Sequence, residues 1–399
     1  MRKNSVVAVF SSLAAALVST SALAGGLYFP EARIISNGTA TAGEEAIARD
    51  ASTVSMNPAG MSRLTGKSLI VAGGGIVGDV NFDSDSANVS GGDGGNQAGF
   101  APIVSFDYAQ PINDQWSAGI SVVSLSGASL DPNNDWVGRY QVTDITLLSL
   151  TVAPSVAYRF NEKFSLGASV LVTYADLEYD LAVGTPGPDA KIDIDGDDID
   201  AGFMIGALYE FSDATRMGVT YMSKIDLDLD SDVTTKRLGL DVNVDLGLPL
   251  PATARGALVH DINEKWTIMG SVGWEQWSDY DEQSVSGPNA SRNIVRNWDD
   301  TWRVAVGAQY HYSDKLMLQA GFAYDSSPVD DEDRTADMPM DEQIRIAAGL
   351  EYKFRPNVTL GSNLTYLDMG DGKIEDEDFT GSYDSNWLLV FGLYSKWHW

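Results

Sequence analysis

The fold is decided by residues 302–324, which read WRVAVGAQYHYSDKLMLQAGFAY. Between residues 302 and 310, large apolar side chains occupy every second position, and small or polar side chains such as Arg303 lie between them. The alternation resumes at Leu316, after polar residues 313–315. Such a period of two is typical of a strand with two different faces, and Ser and Asp favour a tight reversal. The stretch therefore predicts an antiparallel hairpin.

Similar short polar turns recur along the chain, at residues 111–114, 161–163, 212–214, 262–265, 313–315 and 355–357. They alternate with long loops rich in Gly, Asp and Pro, for example residues 83–98, 128–144, 183–198 and 283–297. Outer-membrane barrels have short periplasmic turns, long outer loops and apolar side chains toward lipid. Six short turns then require about seven long loops and 14 strands, the first near 66–82 and the last near 385–399. We therefore predict an all-β fold, a 14-stranded antiparallel transmembrane β-barrel over residues 66–399.

Aromatic residues are expected to form two belts, because Trp and Tyr prefer membrane interfaces. Trp266 lies beside a short turn, and Trp274, Trp277 and Tyr280 follow at the opposite end of the same strand. The terminal Trp399 resembles the aromatic signal that the barrel assembly machinery reads. That machinery is one expected partner, with outer-membrane lipid and lipopolysaccharide as others, and we expect a monomer.

The first residues predict export. Arg2 and Lys3 precede an apolar run over residues 6–18 and the small-x-small pattern of residues 22–24, which is typical of a signal peptide over residues 1–24. The apolar run is shorter than the roughly 20 residues that a spanning helix needs. The predicted location is the outer membrane of a Gram-negative bacterium.

The charge balance excludes nucleic acid as an expected partner, since 26 Lys and Arg stand against 56 Asp and Glu, a net charge of −30. The acidic run at residues 193–198 resembles part of a calcium loop but lacks the closing Glu, so we interpret it as an acidic outer loop and expect no metal site and no cofactor. The chain has no Cys, its three His residues are far apart in sequence, and no serine motif is present, so we expect no enzyme.

Residues 25–65 lack strand alternation and are expected to fill the lumen as an N-terminal plug, or hatch. Residues 43–59, GEEAIARDASTVSMNPA, resemble the plug of the FadL family of outer-membrane transporters for long-chain fatty acids and aromatic hydrocarbons. Further stretches resemble family segments in order, at residues 109–115, 136–140, 154–158, 274–278 and 322–329. The resemblance implies passive uptake of a hydrophobic ligand and its sideways release through a gap in the wall.

The resemblance also implies site residues. Leu27, Tyr28 and Phe29 are the candidates for apolar ligand contacts, and Asn57 and Pro58 for the hatch turn.

A carboxylate ligand would need a cation. Arg303 and Arg345, which have inward parity, and Arg139 in an outer loop are the candidates for a head-group contact. Leu181 and Asp299 stand where fatty-acid transporters of the family carry basic residues. The ligand therefore stays open between a fatty acid, another lipid and an uncharged hydrocarbon. Two other functions also remain, a general diffusion porin and an adhesin or phage-receptor barrel.

Overall fold

The computed structural model describes residues 29–280, 282–287 and 290–399, so the predicted signal peptide and the candidates Leu27 and Tyr28 lie outside the described residues. Twenty strands run within that part of the chain. They are β1 Ser68–Ala87, β2 Ala101–Pro111, β3 Trp116–Val123, β4 Gly127–Leu130, β5 Asp144–Arg159, β6 Phe164–Val183, β7 Ala190–Ser212, β8 Thr215–Met222, β9 Ile225–Thr235, β10 Leu240–Leu250, β11 Thr253–Asp261, β12 Trp266–Glu275, β13 Glu282–Gly287, β14 Ala290–Val295, β15 Thr301–His311, β16 Leu316–Asp325, β17 Gln343–Arg355, β18 Val358–Asp368, β19 Ile374–Glu375 and β20 Phe379–His398.

Fourteen of these described strands form a closed antiparallel ring, which confirms the predicted barrel. In ring order they are β1, β2, β3, β5, β6, β7, β8, β11, β12, β15, β16, β17, β18 and β20. The ring closes where β1 pairs with β20, from Ser68 opposite His398 to Ala87 opposite Phe379. All six predicted short turns connect neighbouring strands at one end of the barrel, the turn end, and the long loops lie at the other, the loop end. A closed ring leaves no unpaired strand edge, which is what a sheet in lipid requires.

The two faces of the wall follow the predicted alternation. On β15, Trp302 is 61% exposed and Val304 52%, whereas Arg303 between them is 5% exposed. The apolar side chains thus point toward lipid and the polar ones toward the lumen, as is usual for membrane barrels.

The acidic run at residues 193–198 lies in a strand, which corrects its interpretation as a loop. Strand β7 begins at Ala190, pairs with β6 from Ala190 to Tyr209, and on its other edge pairs with β9 from Asp193 to Asp197. Ile192 and Ile194 are buried while the carboxylates alternate with them on the other face. The barrel sheet therefore continues past its apolar band at the loop end, where β9 and β10 extend it.

The belt prediction is confirmed at the turn end and wrong in part at the loop end. Trp266 is 43% exposed and its ring lies 4.5 Å from that of Tyr310. Trp277 and Tyr280, in contrast, are fully buried, each with its ring centroid 5.7 Å from that of Trp298. The reason is that β12 ends at Glu275 and the chain turns inward in a 3₁₀ turn, Trp277–Tyr280.

The plug is built from short turns. Single-turn α-helices span Glu44–Ile47 and Thr53–Met56, and 3₁₀ turns span Pro30–Ala32, Ile34–Thr39 and Pro58–Arg63. Most of their residues are buried inside the barrel. No helix in residues 29–280, 282–287 or 290–399 is long and apolar enough to cross a membrane.

The plug backbone lies directly against the wall at inward-facing glycines. A Cβ atom on Gly218 would overlap the carbonyl oxygen of Glu45, and one on Gly321 would overlap the backbone of Thr39. On Gly167 it would overlap the peptide between Pro58 and Ala59. Glycine is required here because any side chain would push the plug away from the wall. We refer to these wall positions as the glycine contacts.

Candidate ligand cavity and wall opening

A cavity of about 330 Å³ lies between the N-terminal end of the plug, the wall from β17 through β20 and β1 to β5, and the loop over residues 326–342. Most of its lining is apolar and includes Phe29, Ile76, Pro102, Ile103, Leu130, Leu147, Met338, Met340, Leu367 and Leu388. Its polar lining residues are Ser124, Ser126, Ser129 and Thr146, together with Asp337, Gln343 and Arg345. An apolar pocket with a few polar groups is the usual form of a small-molecule site.

The wall is interrupted beside this cavity. The β2–β3 ladder ends where Ser105 pairs with Val123, and the wall is joined again by a single bridge between Ala98 and Leu130. In the described part of the chain, no ladder pair joins β2 to its neighbour between those two points. We call this gap the wall opening.

A local irregularity in the sequence produces the opening. Residues 124–126, Ser-Leu-Ser, break the alternation of β3 and lie opposite only two residues of β5, since Val123 pairs with Thr151 and Gly127 with Leu148. The extra residue forms a bulge, which bends the strand away from its other neighbour. Leu125 is buried as a result, and Ser149 holds the bulge through hydrogen bonds of 3.0 and 2.8 Å with the backbone of Ser126.

The cavity reaches both sides of the wall through this opening. Phe29 lines it from the lumen and donates a backbone hydrogen bond of 3.0 Å to the carbonyl oxygen of Leu125 in the bulge. Phe100 and Leu148 line the same cavity, yet they are 61% and 53% exposed on the outside of the barrel. A molecule in the cavity is therefore in contact with the plug and also with the lipid-facing surface.

The loop over residues 326–342 covers the cavity at the loop end. The buried Arg334 donates to the carbonyl oxygens of Val329 at 3.0 Å, Met340 at 2.9 Å and Lys373 at 2.6 Å. Because one side chain ties three backbone segments together, Met338 and Met340 are held in the cavity lining.

Of the three arginines considered as head-group contacts, only Arg345 lines the cavity. Its Nε bonds Glu31 of the plug, its Nη1 bonds Asp325, and its Nη2 donates to Gln343 Oε1 at 2.8 Å. Arg303 lies beside it and shares Asp325, with both carboxylate oxygens 3.0 Å from its Nη1.

Arg303 also binds the plug, and Arg139 lies apart. The Nη2 of Arg303 donates to the carbonyl oxygen of Ala40 at 3.1 Å and to Thr41 Oγ1 at 2.8 Å. Arg139 pairs with Asp189 at 2.8 Å in the outer loops. The structure therefore brings Arg303 and Arg345 together and leaves Arg139 elsewhere.

The two hatch candidates lie in the plug away from the cavity lining. Asn57 is buried, donates to the carbonyl oxygens of Glu45 at 2.6 Å and Ala207 at 3.1 Å, and accepts from the amide of Ala59 at 3.1 Å. Pro58 opens the following 3₁₀ turn, where a missing N–H costs nothing. Together they turn the plug and fasten it to the wall.

Charged pairs hold the plug on several sides of the ring. Asp50 lies 2.7 Å from the ammonium of Lys396, Arg49 lies 2.7 Å from Asp261, and Arg63 pairs with Glu210. Burial alone would raise the pKa of Asp50, but Lys396 and the nearby Ser52 hold it below its ordinary value. Glu45 differs, because burial and the neighbouring Glu44 carboxylate raise its pKa to about 7.

The family resemblance implied a gap in the wall but not its position, and the sequence interpretation missed the covering loop. The signal for the first was the break of alternation at residues 124–126, and for the second the apolar residues 338–340 inside an otherwise acidic loop. Both signals are present in the sequence. A break in alternation does not by itself show whether the chain stays in the wall or turns into the lumen.

Comparisons with known proteins agree with this architecture. A long-chain fatty acid transport protein of Escherichia coli O6:H1 is 26% identical over 401 residues, covering 89% of this chain and 90% of that protein. A crystal structure of a Pseudomonas aeruginosa FadL homologue superposes with a TM-score of 0.87 at 21% identity, covering 94% of this chain and 99% of that one. The Ralstonia pickettii toluene transporter TbuX superposes with a TM-score of 0.69 at 18% identity, covering 92% and 98%.

The family assignment rests on more than these pairwise comparisons with single proteins. Residues 15–389 match the model of the outer membrane protein transport protein family, OMPP1/FadL/TodX. With the 14-stranded barrel, its plug and its apolar cavity, the chain therefore belongs to the OMPP1/FadL/TodX family of outer-membrane transport proteins.

Proposed function

We propose that this protein moves hydrophobic small molecules passively from the cell surface into the outer membrane through the wall opening. The observation that carries the proposal is the apolar cavity lined by Phe29 on the lumen side and by Phe100 and Leu148 on the lipid side. Relatives in the family are named for long-chain fatty acids and for toluene, two hydrophobic classes of ligand.

An apolar lining makes the transfer of such a molecule from water into the cavity favourable. Each CH₂ group removed from water contributes about 0.8 kcal/mol, so a chain of several carbons gains affinity for the cavity. The bilayer beyond the wall offers the same environment over a larger volume. Transfer from one to the other then proceeds down the concentration gradient with no energy source.

The plug does not need to leave the lumen on this route. It is fastened to separate parts of the ring through Lys396, Asp261 and Glu210, and the glycine contacts allow little space for movement. The wall opening lies beside the plug's N-terminal end, so the ligand passes above the plug and leaves sideways.

The remaining assignments follow from this route. Leu27, Tyr28 and Phe29 would contact the ligand, and Asn57 and Pro58 would keep the hatch in place. The chain would be made with a signal peptide over residues 1–24, a plug over 25–65 and a barrel over 66–399. It would act as a monomer surrounded by lipid and lipopolysaccharide, after insertion by the barrel assembly machinery.

Filling the wall opening tests the proposal. Gly127 lines the cavity, and a Cβ on it would meet only the carbonyl oxygen of Leu147 at 3.4 Å, an ordinary contact. We expect Gly127→Ala to transport normally and Gly127→Trp to reduce uptake of 1-dodecanol and dodecanoate about tenfold or more, since the indole occupies the passage.

Uptake is measured in cells that produce each variant, and heat-modifiable migration on gels shows that the barrel has folded. Unchanged uptake by folded Gly127→Trp would remove the sideways route. Single-channel recordings address the porin alternative, because a water-filled pore conducts steadily. Loss of host or phage binding on deletion of one outer loop, with uptake intact, would instead favour the receptor alternative.

A further inference from the structure

The charges around the cavity point to the class of ligand. We infer that the transported molecule is uncharged, a hydrocarbon-rich compound bearing at most a hydroxyl or ester group, and not a carboxylate. The inference rests on the proposed function, since it concerns the ligand of that same cavity.

The first observation is the state of the cavity's cation. Among the described residues that line it, Arg345 carries the only positive charge. All three of its guanidinium nitrogens are already bonded, to Glu31, Asp325 and Gln343. A ligand carboxylate would be left with at most the second N–H groups of Nη1 and Nη2, and there it would lie beside the carboxylates that Arg345 already binds.

The second observation is the balance of the surrounding charges. Arg345 and Arg303 share Asp325, and Glu31 supplies the second carboxylate, so two positive charges meet two negative charges. The acidic side chain in the lining, Asp337, lies 3.6 Å from Arg296. Each group of charges is neutral before a ligand arrives.

A ligand carboxylate would therefore add an uncompensated charge to a largely apolar space. Burying such a charge without a partner is strongly unfavourable, whereas an uncharged polar group can be satisfied by a single hydrogen bond. Hydroxyls of that kind are present, since Ser124, Ser126, Ser129 and Thr146 line the cavity.

The outer surface acts in the same direction. The chain has a net charge of −30, and acids project from β7, β9 and β10 at the loop end. A surface potential of that sign lowers the local concentration of anions and leaves neutral molecules unaffected. The surface charge therefore disfavours the approach of a carboxylate ligand, and the cavity disfavours its binding.

A matched pair of ligands tests the inference. Purified full-length protein in detergent is titrated with 1-dodecanol and with dodecanoate, which differ only in the polar end, using displacement of a fluorescent apolar probe as the readout. At about pH 8, where the acid is ionised, we expect the alcohol to bind about tenfold tighter or more. At about pH 4, where much of the acid is neutral, the difference should shrink.

A variant tests the cause. Glu31→Gln removes one carboxylate partner of Arg345, so dodecanoate should gain about tenfold in affinity relative to dodecanol. Glu210→Gln is the control, because it also removes a plug–wall ion pair, with Arg63, but Glu210 does not line the cavity. It should leave the ratio of the two affinities unchanged.

The outcomes separate the two claims. Equal or tighter binding of dodecanoate by the unaltered protein at about pH 8 would overturn the preference for uncharged ligands. Absence of binding and uptake for both ligands would instead contradict the proposed function. An unchanged ratio in folded Glu31→Gln would show that the Arg345 contacts do not cause the preference, and the comparison on the unaltered protein stands even if that variant does not fold.

Discussion

Phe29 is the residue at which plug, wall opening and cavity meet. Its backbone amide bonds the bulge at Leu125, and its half-buried ring lines the cavity. The same residue thus borders the opening, and on the proposed route it would contact the molecule that passes.

We expect Phe29→Ala to reduce uptake of 1-dodecanol about tenfold, and deletion of Leu27, Tyr28 and Phe29 to reduce it further, because apolar contact is lost at the opening. Both proteins should still migrate as heat-modifiable barrels. Leu64→Ala, at the other end of the plug, is the control and should transport normally. Full uptake by the deletion variant would remove the ligand-contact role from all three residues.

The arginines show what sequence predicts at this scale. Inward parity of Arg303 and Arg345 follows from local alternation and is confirmed by their burial. Their partners could not be predicted, because Ala40 is 263 positions from Arg303 and Glu31 is 314 positions from Arg345. A side chain's direction is a local property, whereas the charge that it meets depends on how the plug enters the ring.

At the scale of elements, the short turns were predicted and the outer strands were not. Turns have a strong local composition, so all six were found. Strand β7 was missed at its start because the run of Asp suggested solvent, although Ile192 and Ile194 alternate with the acids and are buried. Alternation was the better guide, since a strand outside the membrane can present acids to water on one face.

The acids on these outer strands face one another. Asp230 lies opposite Asp197 on one side and Asp245 on the other. Burial, followed by the nearby acids Asp198 and Asp226, raises the pKa of Asp228 above its ordinary value. Asp228 therefore binds a proton more readily in the folded sheet than in the unfolded chain, so its contribution to stability falls as the pH rises through the acid range.

We expect Asp230→Asn to stabilise the outer sheet at neutral pH by about 0.2–1 kcal/mol, since like charges directly opposite are unfavourable. The advantage should disappear as the pH falls and the neighbouring acids become protonated. Hydrogen exchange of β9 and β10 amides, corrected for the intrinsic rate at each pH, measures both effects. Asp114→Asn, in a short turn at the other end, should change nothing, and an advantage of Asp230→Asn that persisted in acid would contradict the explanation.

At the scale of the whole molecule, the plug fills the lumen below the cavity, and the wall opening lies beside its N-terminal end. The sequence predicted the barrel, the plug and their order, because each follows from the period of the pattern along the chain. It could not predict the cavity, since Phe29, Leu130 and Met338 meet there only once the ring has closed.

The filled lumen predicts a small conductance. We expect the intact protein in planar bilayers to conduct ions at least about tenfold less than a variant without residues 30–64, because the plug fills the lumen below the cavity. Uptake of 1-dodecanol should not rise in parallel with the conductance, since the proposed hydrophobic route leaves through the wall above the plug and does not cross the part of the lumen that the plug fills. Equal conductance of the two proteins would favour a general porin.

The glycine contacts have a consequence for a barrel that has lost its plug. At Gly167, Gly218 and Gly321 the wall has no side chain toward the lumen, and the plug backbone now covers it. Water would replace the plug there, because inward polar side chains such as Arg216, which now donates to the plug carbonyl oxygens of Ala46 and Ile47, would take water as their partner. The lumen of such a barrel would therefore fill with water, and a hydrocarbon would gain less free energy by entering it than by entering the intact protein.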